Sequence, residues 1–406
     1  MKILVINAGS SSVKYQLFDM PKGVSLCSGK AERIGEGEAG FLIHKLNPGT
    51  PSERSTTVKR PFATHAAALQ AITDLLLSSE WGVIKRVEEI EAVGHRVVQG
   101  GEMFKSSCLV TPEVLKGIAD LIPLAPLHNP ANLQGIEVAL ELFPHAPSVA
   151  VFDTEFHQTL QPVAYTYALP REYCQRLLLR RYGFHGISHK YVTRQAAKIL
   201  KQPLKTLKLI SAHLGSGASM AAISEGKCID TSMGLTPMAG LVMGSRSGDI
   251  DPSIHGFIAS HTGLSNAQMD DLFNRRSGLV GICGRNDMRD IHNARAGGDE
   301  LAQLAFKIFC YSVKKYIGAY VAALGRVDAI IFTAGIGEND PLCRAQICQG
   351  LEGMGIVLDE SANNTCLGQA GLISSKASPV KILVVPTNEE KEIAFSSREL
   401  LHLQNR

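Results

Sequence analysis

No apolar stretch in this 406-residue chain approaches the length of a membrane span, and no block of like charge interrupts it. The first absence excludes a helical membrane protein. The second, with 41 Lys and Arg against 38 Asp and Glu, argues against nucleic-acid and membrane-surface partners, which need clustered cations. Only four apolar residues precede Asn7, too few for a signal peptide, so a cytoplasmic protein is expected. The nine cysteines contain no C-x-x-C, and an odd, scattered set reads as reduced core residues. There is no G-x-x-x-x-G-K-[ST] and no H-R-D…D-F-G set, which removes P-loop enzymes and protein kinases. The one G-x-G-x-x-G, Gly35 to Gly40, carries glutamates that would repel a pyrophosphate and runs into the strand-like Phe41-Leu42-Ile43.

What is present describes a soluble α/β chain. Hydrophobic residues make up 45% and charged residues 19%, and the length exceeds what one core usually serves, so two domains are expected. Strand-like runs alternate with helical periodicity at 64–79, 111–120, 133–142, 189–201, 301–324, 341–353 and 389–402. Residues 21–62 are polar, with many Gly and Pro, and read as hairpins or an insertion.

The stretch NAGSSSVK, residues 7–14, follows the apolar run Ile3-Leu4-Val5-Ile6 and offers backbone N–H groups, three hydroxyls and Lys14. It suits either a plain hairpin or a phosphate-binding turn. Leu209 to Ser216 echoes it: an apolar strand again enters a Gly/Ser turn and is followed by a second apolar stretch. Two such hairpins point to two similar halves, each giving a phosphate loop. The apolar strand Lys381 to Val385 runs into Pro386-Thr387-Asn388-Glu389-Glu390, where Thr387 or Asn388 suits an N-cap; the strand would be buried and could close back onto the N-terminal half.

Other candidates have a plain reading and a chemical one. Val327 to Pro341 is a strand, a Gly-rich turn and a helix capped by Asp340, suited to a flat ligand or to an ordinary strand–helix connection. His185 and His189 have the i, i+4 spacing of half a zinc site, but Gly186 weakens a helix there and no third ligand is evident. His185 instead suits a hydrogen-bond donor to developing charge, and His189 a satisfied structural histidine. Arg96 and Arg246 stand among glycines, which suits bidentate capture of a carboxylate or phosphate, the plain reading being a solvated arginine. Asp153 ends an apolar strand and suits an orienting, metal-site or base carboxylate, or a helix cap.

Taken in order, NAGSSSVK, GHRVVQGG, PLAPLHNP, VFDTEFHQT, RRYGFHGISH, SAHLGSGAS, DTSMGLTP, GSRSGDIDP, FTAGIGEN and PTNEE resemble the acetate kinase family across nearly the whole chain. That resemblance implies two similar actin-like (ribonuclease H-like) α/β domains flanking a nucleotide cleft, residues 1–152 with 386–406 and residues 153–385. It implies reversible, Mg²⁺-dependent phosphorylation of a short carboxylic acid by ATP, acetate or propionate being the acid, and a homodimer. By position, Asn7 and Glu389 resemble the magnesium-site residues, Ser10, Ser12 and Lys14 the first phosphate loop, and His213, Leu214, Gly215, Ser216 and Gly217 the second. Asp287, Met288 and Arg289, with Gly335, Ile336, Gly337, Glu338 and Asn339, resemble the adenosine side. Arg96 and Arg246 are similar to the substrate and phosphoryl-group arginines, His185 to the transition-state donor, and Asp153 to the active-site aspartate. Val98, Leu127, Phe184 and Pro237 resemble a small apolar pocket for the acyl methyl group, with His128 beside it.

The chain departs from the family's pattern at four places: Gln99 for His, Ser216 for Asn, Glu155 for a small residue and Ala334 for Gly. Ser216 is expected to alter nucleotide affinity rather than abolish activity. A carboxylate acceptor, with a pKa near ~4.3, is ionised at neutral pH and needs no base. It needs cations, and so Asp153 is expected to hold an arginine or a metal-bound water.

Overall fold

The structure, a computed structural model, describes residues 1–404, which fall into two compact units. The first runs from Met1 to Glu155 and resumes at Asn388; the second is Phe156–Thr387.

The first unit holds one mixed sheet. Its strands are β1 (Lys2–Gly9), β2 (Ser12–Asp19), β3 (Val24–Glu32), β4 (Phe41–Leu46), β5 (Arg54–Lys59), β6 (Ala92–Val97), β7 (Cys108–Leu109) and β8 (Ser148–Phe152), in the order β5-β4-β3-β2-β1-β6-β8-β7. The polar 21–62 region is therefore part of the sheet, paired antiparallel through β3, β4 and β5, and not an insertion. The run Ile3-Leu4-Val5-Ile6 is buried because β1 is paired on both edges, by β2 and the parallel β6, and is covered by helices on both faces. One face packs on the helix His65–Leu77, whose Ala68, Leu69, Ile72 and Leu76 share a core with Leu4, Ile6, Leu17 and Leu42. Each such Leu or Ile contributes about 1.5–3 kcal/mol by leaving water. The helix Glu389–Gln404 covers β1 and β6 closely: a Cβ on Gly94 would lie 2.7 Å from Ile393 Cγ2 and from Ser397 Oγ. Gly94, read beside Arg96 as side-chain-free backbone for an anion, is required by this packing.

The second unit holds β9 (Lys208–Leu214), β10 (Ala218–Ser224), β11 (Lys227–Thr231), β12 (Ala329–Thr333), β13 (Gly371–Leu372) and β14 (Lys381–Val384), in the order β11-β10-β9-β12-β14-β13. The echo is topological as well as local. In each unit an antiparallel three-strand meander lies beside two further parallel strands: β3-β2-β1-β6-β8 in one, β11-β10-β9-β12-β14 in the other. The buried 381–384 strand belongs to this second sheet, between β12 and β13, and does not join the N-terminal half. Leu209, Ile331, Leu383 and Val385 pack there against Val192 and Ala196 of the helix Gly186–Leu200.

Gly186 opens a helix rather than weakening one, because the first helical position tolerates glycine and His185 takes the left-handed N-cap conformation with φ 54°. The Gly-rich turn after β12 is itself a short helix, Ala334–Asn339. Asp340 then caps Pro341–Cys348 as expected, its Oδ1 accepting from the Cys343 N–H at 2.9 Å; that helix ends before Gly350 and Gly355, both at positive φ.

Candidate active site

In the first unit, β1 and β2 form a two-residue hairpin in which Gly9 faces Ser12 and Asn7 faces Lys14. Its carbonyls are pinned from outside: Asn132 Nδ2 donates to Ala8 O and His65 Nε2 to Gly9 O, both at 2.7 Å. At the turn Ser10 and Lys14 are exposed, and Ser11 and Ser12 are half-buried. Of the two readings of NAGSSSVK, the hairpin is the one the backbone displays.

Arg96, near the end of β6, donates from Nη2 and Nε to Asp153 Oδ2 at 2.6 and 3.2 Å, and from Nη1 to Asn7 Oδ1 at 3.3 Å. Burial pulls the Arg96 pKa down, but the charges of Asp153, Glu389 and Glu390 outweigh it and hold the guanidinium protonated. Asp153 is 1% exposed, and its Oδ1 has no hydrogen-bond partner among the described residues. Burial pushes the Glu389 carboxyl up to about 7; Arg96 opposes this, while Asp153 and Glu390 add to it. Asn7, Asp153 and Glu389 thus gather hard oxygen donors around one arginine, with one buried carboxylate oxygen unsatisfied.

Val98 is buried and its N–H donates to Asn132 Oδ1 at 3.0 Å; His128 precedes the helix Asn129–Leu142, and Leu127 is half exposed. Two departures from the family's pattern are accommodated in this unit. Gln99 folds onto its own loop, Oε1 accepting from Gly101 N at 2.9 Å, and Glu155 accepts from Ser107 Oγ at 2.7 Å.

In the second unit, His185 and His213 stack with ring centroids 4.2 Å apart. His185 Nδ1 bonds Ser219 Oγ at 2.9 Å, and His213 Nδ1 bonds Ser188 Oγ at 2.8 Å. A Cβ on Gly217, in the turn between β9 and β10, would lie 3.5 Å from His185 Nε2 and 3.6 Å from Arg246 Nη1, so the two nitrogens are within about 7 Å of each other. Arg246 donates only to Pro237 O, at 3.1 Å, and weakly to Met243 Sδ. No carboxylate pairs with it among the described residues, and burial lowers its pKa. Its loop is fixed by backbone bonds, Gly244 N to Ser216 O and Ser247 N to Phe273 O, and by Gly278, where a Cβ would sit 2.2 Å from Met243 O. Phe184 is buried; Ser216, at the turn's tip, is exposed.

Asp287 caps the helix Met288–Ala296 and grips Arg289, whose hydrogen bonds hold the carboxyl down to about 2. Arg289 is exposed, whereas the Met288 side chain is buried in the core. Gly335 and Asn339 are exposed on the short helix; Glu338 is turned inward, its Oε1 accepting from Ala334 N at 2.7 Å, Thr333 Oγ1 at 3.3 Å and Thr387 N at 3.0 Å. Ala334 has φ 63°, which explains the family's glycine at this position. The carbonyl of Gly337 is held by Arg344, a fully buried guanidinium that also bonds Asn363 and Cys366 O. Nothing in the local sequence marks Arg344, Ser188 or Ser219 for these parts.

His189 is structural, with both ring nitrogens bonded to Ser211 and Ser219 hydroxyls. Among the described residues, three side chains of the His, Cys, Asp and Glu types bring ligand atoms together only at His292, Asp340 and Cys343, where His292 already bonds Asp340 and Arg295. Burial lowers His189 well below 6.5, His157 to about 4 and His95 to about 3. Below about pH 6.5 the unfolded chain therefore binds protons that the folded one refuses, each histidine removing up to about 1.4 kcal/mol per pH unit. Stability should be intact above that pH and fall as the pH drops toward 4. Thermal unfolding across this range checks it, and an unchanging midpoint would contradict it.

A hairpin-led, five-strand α/β arrangement occurring twice defines an actin-like fold. The profile of the Acetokinase family matches residues 2–395. Acetate kinase of Nitratidesulfovibrio vulgaris (strain DP4) is 54% identical over 402 residues, 99% of this chain and 100% of that protein. The crystal structure of Porphyromonas gingivalis acetate kinase matches at TM-score 0.93 and 44% identity, covering 98% of this chain and 99% of that one. A propionate kinase from Francisella tularensis subsp. tularensis SCHU S4 matches at TM-score 0.90 and 42% identity, with the same coverage. The chain belongs to the acetokinase family and is an enzyme of that family.

Proposed function

We propose that the chain transfers the γ-phosphoryl group of ATP to acetate, giving acetyl phosphate and ADP, and that it also runs in reverse. The observation that carries this reading is Arg246: a partly buried cation with no carboxylate partner among the described residues, within about 7 Å of His185 Nε2. Such a group calls for an anion. An acetate oxygen attacks the γ-phosphorus as the bond to the ADP oxygen breaks. The nucleophile is already ionised, and Asp153 is committed to Arg96, so no base is assigned. Arg246 and His185 neutralise charge on the phosphoryl oxygens, and Arg96 binds the acid. Ser10, Ser12 and Lys14 of the first hairpin, with His213 to Gly217 of the second, hold phosphates; Asp287 to Arg289 and Gly335 to Asn339 hold adenosine, Glu338 acting from beneath.

The oxygen-rich set Asn7, Asp153 and Glu389, with Asp153 Oδ1 unsatisfied, suits Mg²⁺, which takes hard oxygen ligands. When bound there the ion would offset phosphate charge. Exposed Val163, Leu169, Tyr173, Leu177 and Phe257 support a homodimer, and nine free thiols support a reducing cytoplasm. No helix of the described residues is long and apolar enough to cross a membrane.

Val98, Leu127, Phe184 and Pro237 are assigned to the acyl methyl group, with His128 beside it. The likeness to a propionate kinase makes the acid's length the second question. Val98 is buried, so shortening it opens room for about one more carbon. Val98→Ala should raise kcat/KM for propionate over acetate by about tenfold or more. An unchanged ratio removes Val98 from the pocket. The function itself is tested by offering ATP, Mg²⁺ and acids from acetate to hexanoate, then trapping acyl phosphate with hydroxylamine. Product is expected with two- and three-carbon acids, and hexanoate turned over equally well would refute the pocket.

A further inference from the structure

Thr387 stands where three of these elements meet. Its N–H donates to Glu338 Oε1 at 3.0 Å, the same oxygen that caps the short helix Ala334–Asn339 through Ala334 N. Its hydroxyl bonds Ser188 Oγ at 2.8 Å, and Ser188 Oγ in turn bonds His213 Nδ1 at 2.8 Å. Ser188 lies in the first turn of the helix that His185 opens, and it is fully buried. The proton order Thr387 to Ser188 to His213 satisfies all three groups and leaves the imidazole proton on Nε2, the donor form that suits an anion. One residue therefore touches the adenosine helix directly and the second phosphate hairpin through one hydroxyl.

Thr387 is also the last residue of the second unit. The next residue, Asn388, caps the C-terminal helix, its Oδ1 accepting from Lys391 N at 2.8 Å, and Glu389 is the first helical residue. Two virtual bonds of about 3.8 Å separate Thr387 from Glu389, so their Cα atoms cannot be more than about 7.6 Å apart. Between them stands an N-cap whose own bonds leave little slack.

We propose that Thr387 is a positioning residue that relays the state of the nucleotide loops to Glu389, so that ADP or ATP on the second unit sets where the metal-site carboxylate is held. The relay rests on the assignment of Glu389 to the metal site and of 213–217 and 335–339 to the nucleotide. It requires no contact between Thr387 and any ligand.

Thr387→Val keeps the N–H and the side-chain shape but removes the hydroxyl, and Thr387→Ser restores it. In metal-free protein, hydrogen exchange of backbone amides in 388–395 should slow when ADP is added to the parent and to Thr387→Ser, but not to Thr387→Val. In turnover, Thr387→Val should raise half-saturating Mg²⁺ on the order of fivefold, the worth of about one hydrogen bond, with KM for acetate unchanged. Ser188→Ala should act alike, and the double variant should be no worse than either single one. The relay is overturned if ADP slows exchange equally in Thr387→Val, if it slows nothing in the parent, or if the KM for acetate rises alongside the Mg²⁺ requirement. Glu389→Gln separates the two ideas. If that variant keeps the parent's Mg²⁺ dependence, the site assignment has failed and takes the relay with it; if it loses it while Thr387→Val does not, the relay alone is wrong.

Discussion

Arg246→Ala is expected to lower kcat by about 10³–10⁵ while leaving ATP binding intact, the range seen when an arginine that stabilises a transferring phosphoryl group is lost. The expectation is sharp because the side chain does little for the fold. Its loop is held by backbone bonds at Ser245 and Ser247 and by the close approach at Gly278, while the guanidinium itself bonds only Pro237 O and Met243 Sδ. A desolvated cation without a carboxylate costs stability, so alanine should unfold at the same temperature or higher. Single-turnover rates, an ATP titration and a melting curve make the test. A rate within a few-fold of the parent, or a large loss of stability, would mean that Arg246 is structural.

Asp153 should behave in the opposite way. Its Oδ2 takes two N–H groups of Arg96, and both carboxylate oxygens are buried. Asp153→Ala leaves a largely buried guanidinium unpaired, which costs about 3–5 kcal/mol. Asp153→Asn keeps the shape and loses the charge, and should lower kcat by about 10²–10³ through a misplaced Arg96. The Glu389 carboxyl, held up partly by Asp153, should titrate lower in either variant. Arg96→Met should lessen the stability penalty of Asp153→Ala, because the pair fails together. Additive losses of stability in the double variant would show that the two side chains act separately.

Much of this was legible in residue order because it depends on local pattern. An apolar run before Gly9 and another before Gly215 read as two hairpins, and both hairpins head the same five-strand order. Asp340 before Pro341 read as a helix start, and it is one. His189 read as a satisfied core histidine, and both of its nitrogens are bonded. What stayed hidden depends on tertiary partners. The Ala334–Asn339 helix contains two glycines and begins at a positive φ, so propensity reads it as a turn; the Glu338 carboxylate closing on Ala334 N makes it helical. The reason for Gly94 is a helix three hundred residues away in sequence. Arg344 and Ser188 have no pattern around them, because their partners come from other elements. Residues 21–62 read as hairpins or an insertion, and β3, β4 and β5 bear out the hairpins; that they extend the larger sheet depends on β3 pairing with β2, a tertiary partner the local pattern does not reveal.

A carboxylate, and not water or an alcohol, is the group that should receive the phosphoryl. Phosphorus NMR of the purified protein with ATP, Mg²⁺ and acetate observes this directly. Acetyl phosphate should accumulate one for one with ADP, and neither should form when acetate is omitted. Release of inorganic phosphate with no acyl phosphate, at the same rate with or without acetate, would contradict it.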